Sequence, residues 1–153
     1  MKRYLILSCI ALVLTASCVS TRNTIRNIDD NAIMPALSKD KTFIITETSK
    51  DKKYGYDQDY PVNLGFLPLT TGELNVKRYF GALTGPNGQA LTFTKTESCC
   101  PFPTKKFDAG AGLLDVYEVT WEGLNTPKKI YINLYEKGKV IAPHGFAIKP
   151  IAQ

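Results

Sequence analysis

The residues best equipped for chemistry in this chain are two adjacent cysteines in Ser98-Cys99-Cys100-Pro101. Consecutive Cα atoms lie about 3.8 Å apart across a trans peptide, below the roughly 4.4–6.8 Å usual for a disulfide. A Cys99–Cys100 bridge is therefore expected to be strained and comparatively reducible. Three readings stand side by side. The pair is a redox switch or a rigid loop presenting a ligand surface, or a structural pair that is bridged as a local clamp or buried as thiols, or part of a metal site. Adjacent cysteines lack the spacing of zinc ligands, and His144 is the sole histidine available to join them. Pro101 biases Cys100 toward extended backbone, and Phe102 offers a ring to bury.

A second candidate is the tyrosine-rich segment 54–61, Tyr54-Gly55-Tyr56-Asp57-Gln58-Asp59-Tyr60-Pro61. Carboxylates accept hydrogen bonds from sugar hydroxyls or hold a cation, while tyrosine rings stack on sugar faces. Tyr54, Tyr56, Asp57, Asp59 and Tyr60 thus form a candidate ligand-binding loop, with a packed surface loop as the alternative. It has neither the glycine nor the terminal glutamate of an EF-hand. His144 lies in a turn context, Ala142-Pro143-His144-Gly145, with no nucleophile motif beside it. Gly110-Ala111-Gly112 begins like a dinucleotide fingerprint, but Asp115 holds the place of the third glycine, so it reads as a flexible entry to a strand. No catalytic residue, metal set or cofactor emerges.

Residues 42–48 are rich in β-branched side chains and predict a strand. Val76, Tyr79, Phe80 and Leu83 recur at the spacing of a helix with one buried face, which Thr70 or Thr71 can cap and Gly85-Pro86-Asn87-Gly88 stops. Residues 89–97 alternate Leu91 and Phe93 against threonines, a half-buried strand. Leu113, Tyr117, Val119 and Trp121 share one face of the next strand, broken by Asp115. Ile130, Ile132 and Leu134 share one face of another, with Tyr131, Asn133 and Tyr135 opposite. Residues 140–148 can add an edge strand. The expected domain is α+β, an antiparallel sheet of four to five strands with one main helix packed on one face.

The N-terminus carries an address. Lys2 and Arg3 precede an apolar run over residues 4–14, interrupted only by Ser8. That run is shorter than the about 20 residues needed to cross a bilayer, so residues 1–17 read as a removable signal peptide. Leu14-Thr15-Ala16-Ser17-Cys18 resembles the lipobox of bacterial lipoproteins, with Thr15 where that pattern usually has leucine. The resemblance implies that Cys18 is diacylated and ties the chain to a membrane, where several acyl chains at about 0.8 kcal/mol per buried methylene hold stably. Ordinary cleavage near Ala16-Ser17 is the alternative. Residues 18–40 then form a flexible tether of roughly 25 Å, and residues 41–153 a single globular domain. Losing Lys2 and Arg3 lowers the formal charge from +5 to +3. The remaining lysine doublets sit among acids as a solvated surface, and no nucleic-acid partner is expected.

Tyr54-Gly-Tyr56, Pro61-Val-Asn-Leu-Gly65, Ala82-Leu-Thr-Gly-Pro-Asn-Gly88, Ser98-Cys-Cys-Pro-Phe102 and Gly112-Leu-Leu-Asp-Val-Tyr-Glu-Val-Thr-Trp121 together resemble a family of small Gram-negative envelope lipoproteins. The likeness runs over residues 42–148, and its Cys-Cys-Pro-Phe block is the most specific part. Members of that family often carry the automatic label 2-dehydro-3-deoxyphosphooctonate aldolase. That enzyme class resembles a TIM barrel of about 250 residues, whereas removal of 17 residues leaves 136 here. The expectation is a periplasmic or outer-membrane module that binds an envelope protein, glycan or lipid without catalysis. The alternative is an enzyme, either that aldolase or a thiol oxidoreductase using Cys99 and Cys100, and the missing Cys-x-x-Cys spacing argues against the oxidoreductase.

Overall fold

The computed structural model describes residues 23–151. The segment expected to be a signal peptide, its expected cleavage site and Cys18 lie outside the described residues, and no described helix is long and apolar enough to cross a membrane. Along the chain the elements are β1 (Val62–Asn63), a 3-10 turn (Leu69–Thr71), α1 (Gly72–Gly81), β2 (Leu83–Thr84), β3 (Thr92–Pro103), β4 (Ala111–Thr120), β5 (Lys128–Asn133) and β6 (Ala147–Ile148).

The strands with the clearest alternation make the centre of the sheet. β4 and β5 pair antiparallel with Asp115 opposite Ile132, and β3 pairs antiparallel with the other edge of β4. Ile130, Ile132, Tyr117 and Val119 point into the main core. There they meet the face of α1 that buries Val76, Tyr79 and Phe80, with Phe80 and Phe93 ring centroids 4.6 Å apart. The α+β class and the helix over one sheet face match the expectation.

The wholly antiparallel sheet does not. The four strands lie in the order β1-β5-β4-β3, and β1 runs parallel to β5 with Val62 opposite Ile132. A parallel pair needs a long crossover, and α1, β2, β3 and β4 all intervene between β1 and β5. Val62, Asn63 and Leu64 are each covered on both sides, so they lack the alternation that marks a half-exposed strand. The C-terminal strand also forms, but β6 pairs with β2 in a separate ribbon, Leu83 opposite Ile148.

Residues 42–48 are extended without joining a ladder. Phe43 and Ile45 face the core, while pairing is limited to isolated bridges Leu37–Phe43 and Thr48–Ala142, so the expected strand does not form. The Phe43 N–H instead donates to the Arg78 carbonyl at 3.1 Å, satisfying the last turn of α1. α1 accordingly ends at Gly81, before the Gly-Pro turn. At its start the Thr71 hydroxyl donates to the Pro68 carbonyl at 3.1 Å and makes no side-chain cap to the helix.

The second face of the sheet is covered by the described part of the segment read as a tether. Ile25 is buried against Phe102 and Leu114, with Ile28, Tyr131 and Tyr135 around them. The Arg26 N–H donates to the Asp59 carbonyl at 3.0 Å and the Asp29 N–H to the Lys137 carbonyl at 2.8 Å. The Asn27 amide donates to the Pro61 carbonyl at 2.7 Å, and the Asn63 amide to the Asn27 carbonyl at 2.9 Å. The Asn133 amide completes the chain with a 2.9 Å bond to Asn63 Oδ1. Residues 23–30 are therefore a strap packed on the domain. Its two apolar anchors and one amide are too few to register as a periodic face in the sequence.

Candidate functional site

β3 continues past Glu97 through the cysteine pair to Pro103. Cys99 stands opposite Leu114 and Phe102 opposite Gly112, so Cys100 and Pro101 face Leu113 alone and the edge strand bulges. Pro101 has no N–H to give to a ladder, which suits a bulge on an edge. Cys99 and Cys100 form a vicinal disulfide, their Cα atoms 3.7 Å apart. Cys100 adopts φ 57°, not the extended backbone expected before proline. A bulge must take one residue out of the β region, and the bond between neighbouring side chains leaves Cys100 as that residue. A left-handed non-glycine costs about 1 kcal/mol, and the burial of Phe102 beside it holds the turn in place.

The tyrosine loop reaches this bulge from the other side of the strap. Its rings face inward. The Tyr54 hydroxyl donates to the Lys139 carbonyl at 3.1 Å and accepts the Ile141 N–H at 3.3 Å, and burial raises its pKa far above the ordinary tyrosine value, against the opposing effect of the Ile141 bond. The Tyr56 hydroxyl donates to the His144 carbonyl at 2.7 Å, and burial pushes its pKa up to about 12. Tyr60 packs half-buried on the main core. Asp57 Oδ1 accepts the Asp59 N–H at 2.9 Å, closing a local turn. Of the expected stacking platform, Tyr54 and Tyr56 thus hold residues 139–144 and Tyr60 packs on the core, and His144 is an exposed turn residue whose carbonyl serves Tyr56.

What remains available from the loop is its far end. Gln58 and Asp59 join Thr24, Ile25, Cys100 and Phe102 in lining a groove of about 410 Å³. Among the described residues the Asp59 carboxylate has no hydrogen-bond partner. Phe102 and Leu114, almost fully buried, form the base beneath the groove, exposed Pro101 gives it an apolar wall, and Asp59, Gln58 and Thr24 a polar rim. The tertiary fold brings one end of the tyrosine loop together with Cys100, and leaves Tyr54, Tyr56 and Asp57 out of that lining.

Several polar residues were not singled out from the sequence. Asp115, nine-tenths buried, is held by Lys95 Nζ at 2.7 Å and the Ser98 hydroxyl at 2.8 Å. Buried Thr104 donates its hydroxyl to buried Glu136, across 32 positions of sequence. Asp115 interrupts an apolar face, a signal that could have marked it. Glu136, in Tyr-Glu-Lys-Gly, carries no such signal. Gly110 and Gly112 lie in the β3–β4 hairpin, not in a strand-turn-helix unit, as their sequence context implies. Comparison with protein-family models, with curated proteins and with solved structures finds no match to this chain.

Proposed function

We propose that this chain is a membrane-anchored lipoprotein of the cell envelope, tied down through Cys18, that binds an envelope glycan without catalysis in the groove between Asp59 and the Cys99–Cys100 bulge. The observation that carries the reading is the convergence of Asp59 and Cys100, which belong to separately conspicuous sequence segments, on one groove with the strap between them. A sugar ring offers an apolar face to exposed Pro101 beside the disulfide and hydroxyls to a carboxylate, an amide and a threonine. In this reading Cys18 is only five positions from Asn23, a reach of at most about 17 Å, so the groove sits close to the anchor.

Two experiments test the two halves. Metabolic labelling with palmitate should mark the full chain and leave Cys18→Ser unlabelled and released from membranes, and an unlabelled wild type overturns the anchoring. Co-sedimentation with insoluble peptidoglycan should be weakened at least about tenfold in Asp59→Ala, the loss expected for a charge-assisted hydrogen bond. Equal sedimentation of the two, at unchanged stability, overturns the groove.

A further inference from the structure

A separate cavity of about 570 Å³, within the roughly 300–1,000 Å³ range of small-molecule sites, opens between the strap and the β3–β4 hairpin. It shares no lining residue with the groove. Glu136, only 5% exposed, lines it together with Thr104, Lys105, Lys106, Phe107 and Ile28. The Thr104 hydroxyl accepts the Lys106 N–H at 3.0 Å, which leaves its own proton for Glu136 Oε1. Asn133 Oδ1 accepts the Glu136 N–H at 3.3 Å, and the Gly65 N–H donates to the Glu136 carbonyl at 2.9 Å, so the residue is fixed from both sides.

That arrangement leaves a charge incompletely met. A carboxylate has about four acceptor positions, and burying one is costly without matching donors or a cation. Among the described residues Thr104 is the only side-chain donor to Glu136, and no lysine, arginine or histidine lies within ion-pair distance of it. Lys106 pairs at the rim with Asp30, at 3.0 Å. Lys105 is exposed beside it, and Phe107, 44% exposed, presents its ring edge-on to Tyr135 at 5.8 Å.

We propose that this cavity binds a small amine that also carries an anionic group. The ammonium meets Glu136, the anionic group meets Lys105 and Lys106, and the carbon skeleton lies against Ile28 and Phe107. An amino-alcohol phosphate has this chemistry, either free or as the headgroup of a membrane lipid. The site is independent of the groove and of the anchoring at Cys18.

Calorimetric titration of the full chain with phosphoethanolamine, ethanolamine and inorganic phosphate tests it. Phosphoethanolamine should bind more tightly than either fragment. Glu136→Gln keeps the shape and an acceptor for Thr104, and should weaken phosphoethanolamine at least about tenfold while leaving inorganic phosphate unchanged. Lys105→Ala should weaken both phosphate probes. In reconstituted vesicles, weaker titration in phosphatidylethanolamine than in phosphatidylglycerol assigns the lipid headgroup, and equal titration assigns the free compound. Equal binding by wild type and a folded Glu136→Gln overturns the proposal. So does a double-mutant cycle in which Glu136→Gln and Arg22→Gln lose stability non-additively: Arg22 precedes the cavity-lining Asn23 in the sequence, and the chain's own arginine would then be the partner of Glu136.

Discussion

Gly112 gives the sharpest test of how the bulge is packed, because the sign of its effect depends on the tertiary contacts. Its φ lies outside the left-handed region, so alanine is compatible with the backbone. Considered alone, Gly112→Ala should stabilise by about 0.4–1 kcal/mol through the unfolded chain. In the folded chain, however, a Cβ at this position comes 2.9 Å from Phe102 Cζ and 2.9 Å from Tyr135 Cδ2. Neither ring has an easy escape. Phe102 is 3% exposed, and Tyr135 is wedged between Phe102 and Phe107 with centroids 5.8 Å from each. Overpacking of this kind costs roughly 1–3 kcal/mol, so the net effect is a loss of about 1–2 kcal/mol. Urea unfolding reads it directly. With a slope near 2 kcal/mol per molar, the midpoint should fall by about 0.5–1 M. A midpoint that stays put or rises would refute the close approach of Phe102, Tyr135 and Gly112, and with it the β3–β4 register through the bulge.

Other outcomes follow from the same contacts. Asn133→Ala orphans Asn63 and the backbone N–H groups of Tyr135 and Glu136, which bond to Asn133 Oδ1 at 2.9 and 3.3 Å. At about 1–3 kcal/mol per buried unsatisfied group, the loss should exceed roughly 3 kcal/mol, with the strap at residues 23–30 the first site cut in limited proteolysis. Replacing both Cys99 and Cys100 with serine opens the shortest possible disulfide loop, so global stability should fall by only about 1 kcal/mol, as read by urea midpoint. In native peptides the pair should resist alkylation until a reductant is added. Alkaline pH should unfold the chain. Burial pushes Tyr56 and Tyr117 up to about 12 and raises Tyr54 and Tyr79 well above the ordinary value. The folded state thus keeps protons that the unfolded chain releases near 10, so stability is complete below about pH 10 and falls as pH rises through about 12. Tyrosinate absorbance and circular dichroism should change together there, and tyrosinate forming without unfolding contradicts the buried phenols.

Legibility in the sequence followed the range of the interactions. The buried face of α1 at Val76, Tyr79 and Phe80 is visible because neighbours three and four apart share one side of a helix. The alternation of Ile130 and Ile132 against Tyr131 and Asn133 is visible because a strand points successive side chains to opposite faces. The adjacency of Cys99 and Cys100, and the likeness of residues 14–18 to a lipobox, are properties of the linear chain and need no fold to be read. The candidate loop was legible in part, since Asp59 reaches a groove while its tyrosines do not.

Only the tertiary structure decided the rest, because each feature depends on a partner remote in sequence. Asn27 finds the Pro61 carbonyl across 34 positions, which makes a strap of a stretch with no periodic face. Tyr54 finds the Lys139 carbonyl across 85 positions, which turns an apparent stacking platform into a structural post. β1 lies parallel to β5 because a helix and three strands intervene, and its burial on both faces erases the alternation that would have announced it. Glu136 becomes a buried carboxylate facing a cavity only because β5 ends beside the β3–β4 hairpin. A local pattern records which side of an element is apolar, and it cannot record what long-range packing sets against that side.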